Sequence, residues 1–368
     1  MKLSDEQQAF AEAVRDFCER ESWPRDEAHD AGIYAKLAEL GWLGVVIPEE
    51  YGGSGGSVVD MVVLLDELGS GGVPVNGIGT TFIVAGAYGR FGSEEQKHAM
   101  LGGIARGAVE AIAMSEPGAG SDVGALTCKA ERSNGSYVVN GQKTWISNAH
   151  IADHTLLVCR TSRDGTKHEG LTMLEVPREI DGLEMHGIDT MGGREVNDMY
   201  FTDCEVPAEN LIGTEGAAWM QLMAGLNHER LIIAAQSLGL ARRAFADQLK
   251  FVKEREQFGK PVGSFQVLKH RIADLATEIE CTSLLVYDVA RRVDENPGVM
   301  FPREASMAKL KATELAKRAA LEGMQNMGGY GYATEYDMER HVRGALVTTI
   351  FGGTNEIQRD IIGRTYGL

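Results

Sequence analysis

Residues Ser136–Ser147 read "SYVVNGQKTWIS". Apolar and aromatic runs flank Asn140-Gly141, a dipeptide suited to the positive-φ positions of a tight turn, so the pattern predicts a β-hairpin here. Short strand candidates continue downstream, in "HTLLVCRTS", "GLTMLEVPR", "GLEMHGI" and "DMYFTDCEVP", each bounded by turn residues. The expected product is an antiparallel, β-barrel-like unit over residues 111–213.

Outward from this unit the period changes. Upstream, Ser4 is a cap candidate for a helix over residues 3–20, where Phe10, Val14 and Phe17 recur at helical spacing. "AGIYAKLAELGWLG" predicts a helix stopped by Gly41, "VVDMVVLLDELGS" another, and "GSEEQKHAMLGGIARG" a capped helix ending at glycine. Downstream of residue 213, long amphipathic runs with few breaks predict a four-helix bundle. The fold class is α+β, mainly α, with a helical domain over 1–110, the β domain over 111–213 and a helical bundle over 214–368. No alternating β-α pattern supports a doubly wound nucleotide fold.

A chain of 368 residues with 43% hydrophobic and 24% charged residues can bury a sizeable core without a metal or disulfide staple. The formal net charge of −17 argues against nucleic acid as a main partner. Five scattered cysteines without a C-x-x-C pair fit a reducing compartment and argue against a zinc site. The opening "MKLSDEQQAF" is unlike a targeting peptide, and no run of about 18 apolar residues is present, so a cytoplasmic location without a membrane span is expected.

Several motifs are ambiguous one at a time. "SEPGAGSDVG" (Ser115–Gly124) lacks a βαβ setting, so it reads equally as a structural turn or as a ligand loop whose backbone and serine hydroxyls can approach closely. Trp145 in "TWISN" fits a core position or a flat platform for an aromatic cofactor. Arg255 in "EREQFGKPVGSFQ" fits a solvated charge or a phosphate ligand, and "MQNMGGYGY" is a further Gly-rich helix end.

Taken in order, "SEPGAGSDVG", "NGQKTWISN", "REQFGKP", "MGGYGY" and "GGTNEIQR" resemble the acyl-CoA dehydrogenase family of flavoenzymes over nearly the whole chain. The resemblance implies FAD bound between the β domain and the bundle and shared with a neighbouring subunit, in a homotetramer or dimer. It implies an acyl-CoA substrate and an electron-transfer flavoprotein as acceptor. By position, Ser115 would bond the flavin edge, Trp145 would pack beside the ring, and Ser147 would place its hydroxyl near N5. Arg255, Gln257 and Phe258 would contact the pyrophosphate and adenine end, Gln325 and Gly329 the ADP portion, and Thr354 and Glu356 the phosphates and adenosine. Ser121 would contact the CoA arm beside the cofactor loop, with Arg230 and Arg364 as further substrate contacts.

The family reaction removes an α-proton from the thioester with a carboxylate while hydride leaves the β-carbon. Many relatives carry that glutamate at the position of Gly352, which here lies in "IFGGTNEIQRD" (Ile350–Asp360). A second arrangement, resembling isovaleryl-CoA and long-chain dehydrogenases, places it on a helix in a sequence like "ERLxxA". Here "GLNHERLIIAAQ" (Gly225–Gln236) puts Glu229 at that position. The plain reading makes Glu229 and Arg230 a polar helix face, but both interrupt an apolar run. The expectation is Glu229 as base, with the Gly352 N–H polarising the thioester carbonyl. The competing expectations are a non-catalytic FAD-binding subunit and an acyl-CoA oxidase-type flavoenzyme.

Overall fold

The computed structural model describes residues 3–23 and 28–368, so Met1 and Lys2 of the opening stretch lie outside the described residues. Along the chain run helices α1 (Asp5–Arg20), α2 (Ala31–Glu39), α3 (Val58–Gly71), α4 (Ile78–Phe91), α5 (Glu94–Gln96) and α6 (Gly102–Ala105). Strands follow: β1 (Glu110–Ala113), β2 (Lys129–Ser133), β3 (Ser136–Ser147), β4 (His154–Arg160), β5 (Leu171–Pro177), β6 (Leu183–Thr190), β7 (Gly193–Pro207) and β8 (Leu211–Ile212). Then come α7 (Ala218–Glu254), a small hairpin of β9 (Glu256–Gln257) and β10 (Lys260–Pro261), α8 (Gln266–Glu295), α9 (Pro302–Met327), α10 (Gly329–Tyr332), α11 (Met338–Thr348) and α12 (Asn355–Arg364). No helix among the described residues is long and apolar enough to cross a membrane.

Packing gathers these elements into two compact units, each discontinuous in sequence. One comprises residues 24–56 and 74–228 and contains the sheet. Its strand order is β6-β7-β3-β2-β4-β5-β8, with β1 paired to β4. The terminal strands β6 and β8 do not pair with each other, so the sheet is open, and the barrel-like expectation is corrected to that extent. Most ladders are antiparallel, but β1 runs parallel to β4. Tyr88, Leu101, Ile104, Leu156, Met173 and Ile212 form part of a buried core beneath this sheet.

The expected turn at Asn140-Gly141 is absent: β3 runs straight through it. The hairpin turns at Asn134-Gly135 instead, where φ is 46° and 86°, joining β2 to β3. Gly141 has another job. It sits at a register shift against β7, and a Cβ there would lie 2.7 Å from the Cys128 Cα. Glycine permits that close backbone approach, which is the other meaning of an isolated glycine in a strand. The helix expected over "GSEEQKHAMLGGIARG" is capped by Ser93 as expected, but a π-helical turn at Lys97–Leu101 divides it.

The second unit comprises residues 1–23, 57–73 and 229–368. Ser4 and Gln7 form a capping box at the start of α1, and Ser57 and Asp60 form one at α3. Asp294 of α8 adds a second clamp on α3, accepting from the Val58 and Val59 N–H groups at 2.8 and 3.0 Å. Buried alanines at 305, 308, 312, 316 and 319 give α9 a narrow seam on which its neighbours pack closely.

Candidate active site

Glu229 lies within α7, and the residues that follow it, Leu231–Ala235, are buried. The glutamate is half-buried and has no hydrogen-bond or ion-pair partner among the described residues. Burial pushes its carboxyl above the ordinary 4.5, against the opposing pull of Arg230 and Lys309. Arg230 is 4% exposed; it donates to the Pro302 carbonyl at a marginal 3.5 Å, and its buried Nε finds no acceptor. A buried guanidinium so poorly satisfied is a donor set awaiting an anion or carbonyl.

The turn after α11 comes to the same place. Gly352 and Gly353 both take left-handed conformations, with φ 61° and 76°. A Cβ built on Gly352 would lie 3.6 Å from Glu229 Oε1 and 2.1 Å from Ile233 Cδ1. The side-chain position that Gly352 gives up is therefore filled by Ile233, with the Glu229 carboxylate beside it. The carbonyls of this turn are secured: Gln358 Nε2 donates to Gly352 and Gly353 at 3.2 and 2.9 Å, and Lys309 Nζ donates to Gly353 at 3.0 Å. No acceptor for the Gly352 N–H is found among the described residues. Thr354 caps α12 through a 3.3 Å bond from the Ile357 N–H, and Glu356 stands exposed in the first turn. Arg364 is exposed and already paired with Asp360 at 2.6 Å.

In the same unit, α7 ends in the β9–β10 hairpin. Arg255 lies 5.2 Å over the Tyr330 ring, and Gln257 is exposed. Phe258 and Gly259 form the tip with φ 54° and 75°, and the Phe258 ring is 92% exposed. Gln325 is exposed near the end of α9, and Gly329 opens α10 after Gly328, whose φ 60° and ψ −137° suit glycine.

The sheet-containing unit brings the other motifs together. Lys143 is fully buried and donates to Glu116 at 2.8 Å and to the Met114 carbonyl at 2.9 Å. Glu116 also accepts from Thr127 and the Cys128 N–H. Burial pushes the Glu116 carboxyl up, but Lys143 and these donors outweigh it and hold it low. This ion pair stakes the Ser115 loop to β3, where Thr144 N–H donates to the Ser115 carbonyl at 2.9 Å. Here β3 loses register with β7 between Lys143 and Ile146. Trp145 sits in that bulge at φ 61°, and its ring is 60% exposed. A bulge that turns a large ring outward at the cost of a left-handed backbone marks a presented side chain rather than a core one. Ser147 is half-buried two residues on, whereas Ser121 is exposed in the loop beyond Ser115.

Taken separately, each unit carries residues whose chemistry fits FAD. Trp145 and Phe258 are open aromatic faces that cost free energy while exposed, Arg255 offers a forked cation, and the glycines admit close backbone approach. No group of three or more His, Cys, Asp or Glu among the described residues could hold a metal ion.

The chain is similar to known proteins over nearly its whole length. The chain matches the family models "Acyl-CoA dehydrogenase, N-terminal domain" over residues 4–108, "middle domain" over 111–204 and "C-terminal domain" over 216–367. It is 36% identical to a probable acyl-CoA dehydrogenase of Bacillus subtilis, covering 99% of this chain and 98% of that one. It is 34% identical to the mitochondrial isovaleryl-CoA dehydrogenase of Solanum tuberosum, covering 98% and 90%. The crystal structure of an acyl-CoA dehydrogenase from Geobacillus kaustophilus superposes with a TM-score of 0.94 at 36% identity, covering 100% and 99%.

Proposed function

We propose, from the premise that the chain belongs to the acyl-CoA dehydrogenase family, that Glu229 is its catalytic base. The activity is the family's FAD-dependent α,β-dehydrogenation of an acyl-CoA thioester. The observation that carries the assignment is the 3.6 Å between Glu229 Oε1 and the Cβ position of residue 352. A carboxylate arriving along α7 reaches the place that a glutamate at 352 would start from, and the two arrangements become equivalent at the substrate.

Glu229 removes the α-proton. Its raised pKa strengthens it as a base, and the absence of a protein partner leaves both oxygens free for the substrate. The α-proton is acidic enough only when the thioester carbonyl is polarised. The unspent Gly352 N–H is the donor proposed for that oxygen, held in place by the bonds to the turn's carbonyls. Arg230 supplies a buried guanidinium for the CoA portion, with Ser121 as a further contact, while the pairing of Arg364 with Asp360 leaves it a lesser role. FAD, when bound, supplies the acceptor for the β-hydride. Ser115, Trp145 and Ser147 are proposed to hold its ring, with Ser121 nearby. Arg255, Gln257, Phe258, Gln325, Gly329, Thr354 and Glu356 are proposed to hold its phosphates and adenosine. An electron-transfer flavoprotein as acceptor, a homotetramer or dimer, and a cytoplasmic location complete the reading, on family resemblance.

Anaerobic mixing with acyl-CoA tests the assignment. Wild-type flavin absorbance should bleach within one turnover, and Glu229→Gln should bind FAD but bleach at least about 100-fold more slowly. Bleaching at the wild-type rate in that variant would overturn it.

A further inference from the structure

Behind the Gly352–Gly353 turn lies a buried lysine that the proposed chemistry has not used. Lys309 falls on the apolar face of α9, among Ala305, Ala308 and Ala312, and is fully buried. Its ammonium donates to the Gly353 carbonyl at 3.0 Å and to Asn355 Oδ1 at 3.1 Å. Both acceptors are neutral. No carboxylate stands within ion-pair distance of it among the described residues. An ammonium buried without a counter-ion is destabilised, and burial indeed pushes Lys309 down to about 8.

Both acceptors also have another donor. Gln358 Nε2 reaches the Gly353 carbonyl at 2.9 Å, and Thr313 Oγ1 reaches Asn355 Oδ1 at 3.1 Å. The hydrogen bonds of Lys309 are thus backed up, whereas its charge is not. The charges that face it are Glu229 and Arg230 from α7 and Glu356 from α12, with Glu229 the strongest of them. Glu314, on α9 itself, is engaged by Asn355 Nδ2 and Arg359, and Arg359 also reaches Glu356 at 3.8 Å. Seen from Glu229, the facing charges are the cations Arg230 and Lys309.

We infer that Lys309 is a positioning residue for the base: its buried ammonium holds the Gly352–Gly353 turn against α9, beside the Glu229 carboxylate, and places a positive charge behind that carboxylate. The inference rests on the reading of Glu229 as the base. Burial favours the protonated form of that carboxyl and a neighbouring cation opposes it, so the ammonium favours the ionised form that acts as a base. Removing a neighbouring cation raises a carboxylate pKa, so loss of Lys309 moves the onset of activity to higher pH.

The test is the pH profile of kcat/KM for FAD-loaded wild type, Lys309→Met and Lys309→Gln. The probe is whichever of butyryl-CoA, isovaleryl-CoA and palmitoyl-CoA the wild type turns over fastest, with ferrocenium as acceptor. The acid limb should move up by about 0.5–1 pH unit in both variants. Lys309→Gln, which keeps hydrogen-bond donors but no charge, should retain the higher plateau, and it carries the test if Lys309→Met does not fold. A merely structural role would lower activity at every pH and leave the limb in place. Glu229→Gln is assayed alongside. An unmoved limb with inactive Glu229→Gln overturns the inference alone, and turnover surviving in Glu229→Gln overturns the base assignment and the inference with it.

Discussion

Gly352 and Ile233 decide what can be moved at this site. Exchanging the carboxylate's origin, as Glu229→Gly with Gly352→Glu, places a side chain at φ 61° with its Cβ 2.1 Å from Ile233 Cδ1. The left-handed backbone costs of order 1 kcal/mol or more, and the overlap about as much again. The double variant should therefore stay inactive. Adding Ile233→Ala should restore measurable turnover, read as acyl-CoA-dependent dye reduction. Equal activity in the double and triple variants would show that Ile233 does not block the position. Glu229 was singled out in the sequence by its match to the resemblance's "ERLxxA" pattern, and its interruption of an apolar run spoke against a plain polar face. The same signal was present at Lys309, which breaks the spacing Ala305, Ala308, Ala312, Ala316. A glutamine such as Gln358 carries no such mark, because its bonds go to carbonyls brought near only by the folded turn.

Among the elements, the strand pair β1–β4 carries a titratable load. Glu110 faces His154 in register, 3.4 Å from its Nδ1, and neither Glu110 oxygen has a hydrogen-bond partner. Burial pushes Glu110 from 4.5 up to about 7, eased by His154 and reinforced by Glu175 and Asp153. Glu175, which accepts from Tyr88 at 3.2 Å, is raised by burial too, and His154 is raised by the Glu110 carboxylate 3.4 Å away. Between about pH 4.5 and 7 the folded state holds a Glu110 proton that the unfolded chain has released, so stability falls as pH rises through that window. The His154 shift has the same sign, its stability being lost as pH rises, and the two groups titrate as one pair. Melting temperature should drop from pH 5 to pH 8. Glu110→Gln should flatten that slope and add ~1–3 kcal/mol at pH 8. A slope unchanged in the variant would assign the effect elsewhere.

Element by element, the start of α1 was readable because Ser4 caps it through a local side-chain bond. The β3 hairpin was misplaced because asparagine-glycine occurs at both 134 and 140, and local chemistry alone does not distinguish them. What separates them is tertiary: Gly141 must pass Cys128, a residue on the neighbouring chain segment. The bulge that turns Trp145 outward is likewise a property of β3 against β7 and the Ser115 loop.

At the scale of the whole molecule, Trp145 and Phe258 are exposed apolar rings, and both are among the proposed FAD contacts. FAD bound to the native state alone stabilises it by mass action, about 2.7 kcal/mol at 100 times its Kd. Deflavinated protein should melt at lower temperature than holoprotein, and added FAD should restore the difference while quenching Trp145 fluorescence. Trp145→Ala should weaken FAD binding by about tenfold. An identical melt with and without FAD would remove the cofactor role of these residues.

The central claim is that Glu229 takes the α-proton, and exchange of that proton with solvent reports it most directly. Holoenzyme held anaerobically with acyl-CoA in D2O should incorporate deuterium at the α-carbon. Glu229→Gln, folded and FAD-loaded, should slow this by about 100-fold or more. Exchange at the wild-type rate in that variant would contradict the account and place the base on another residue.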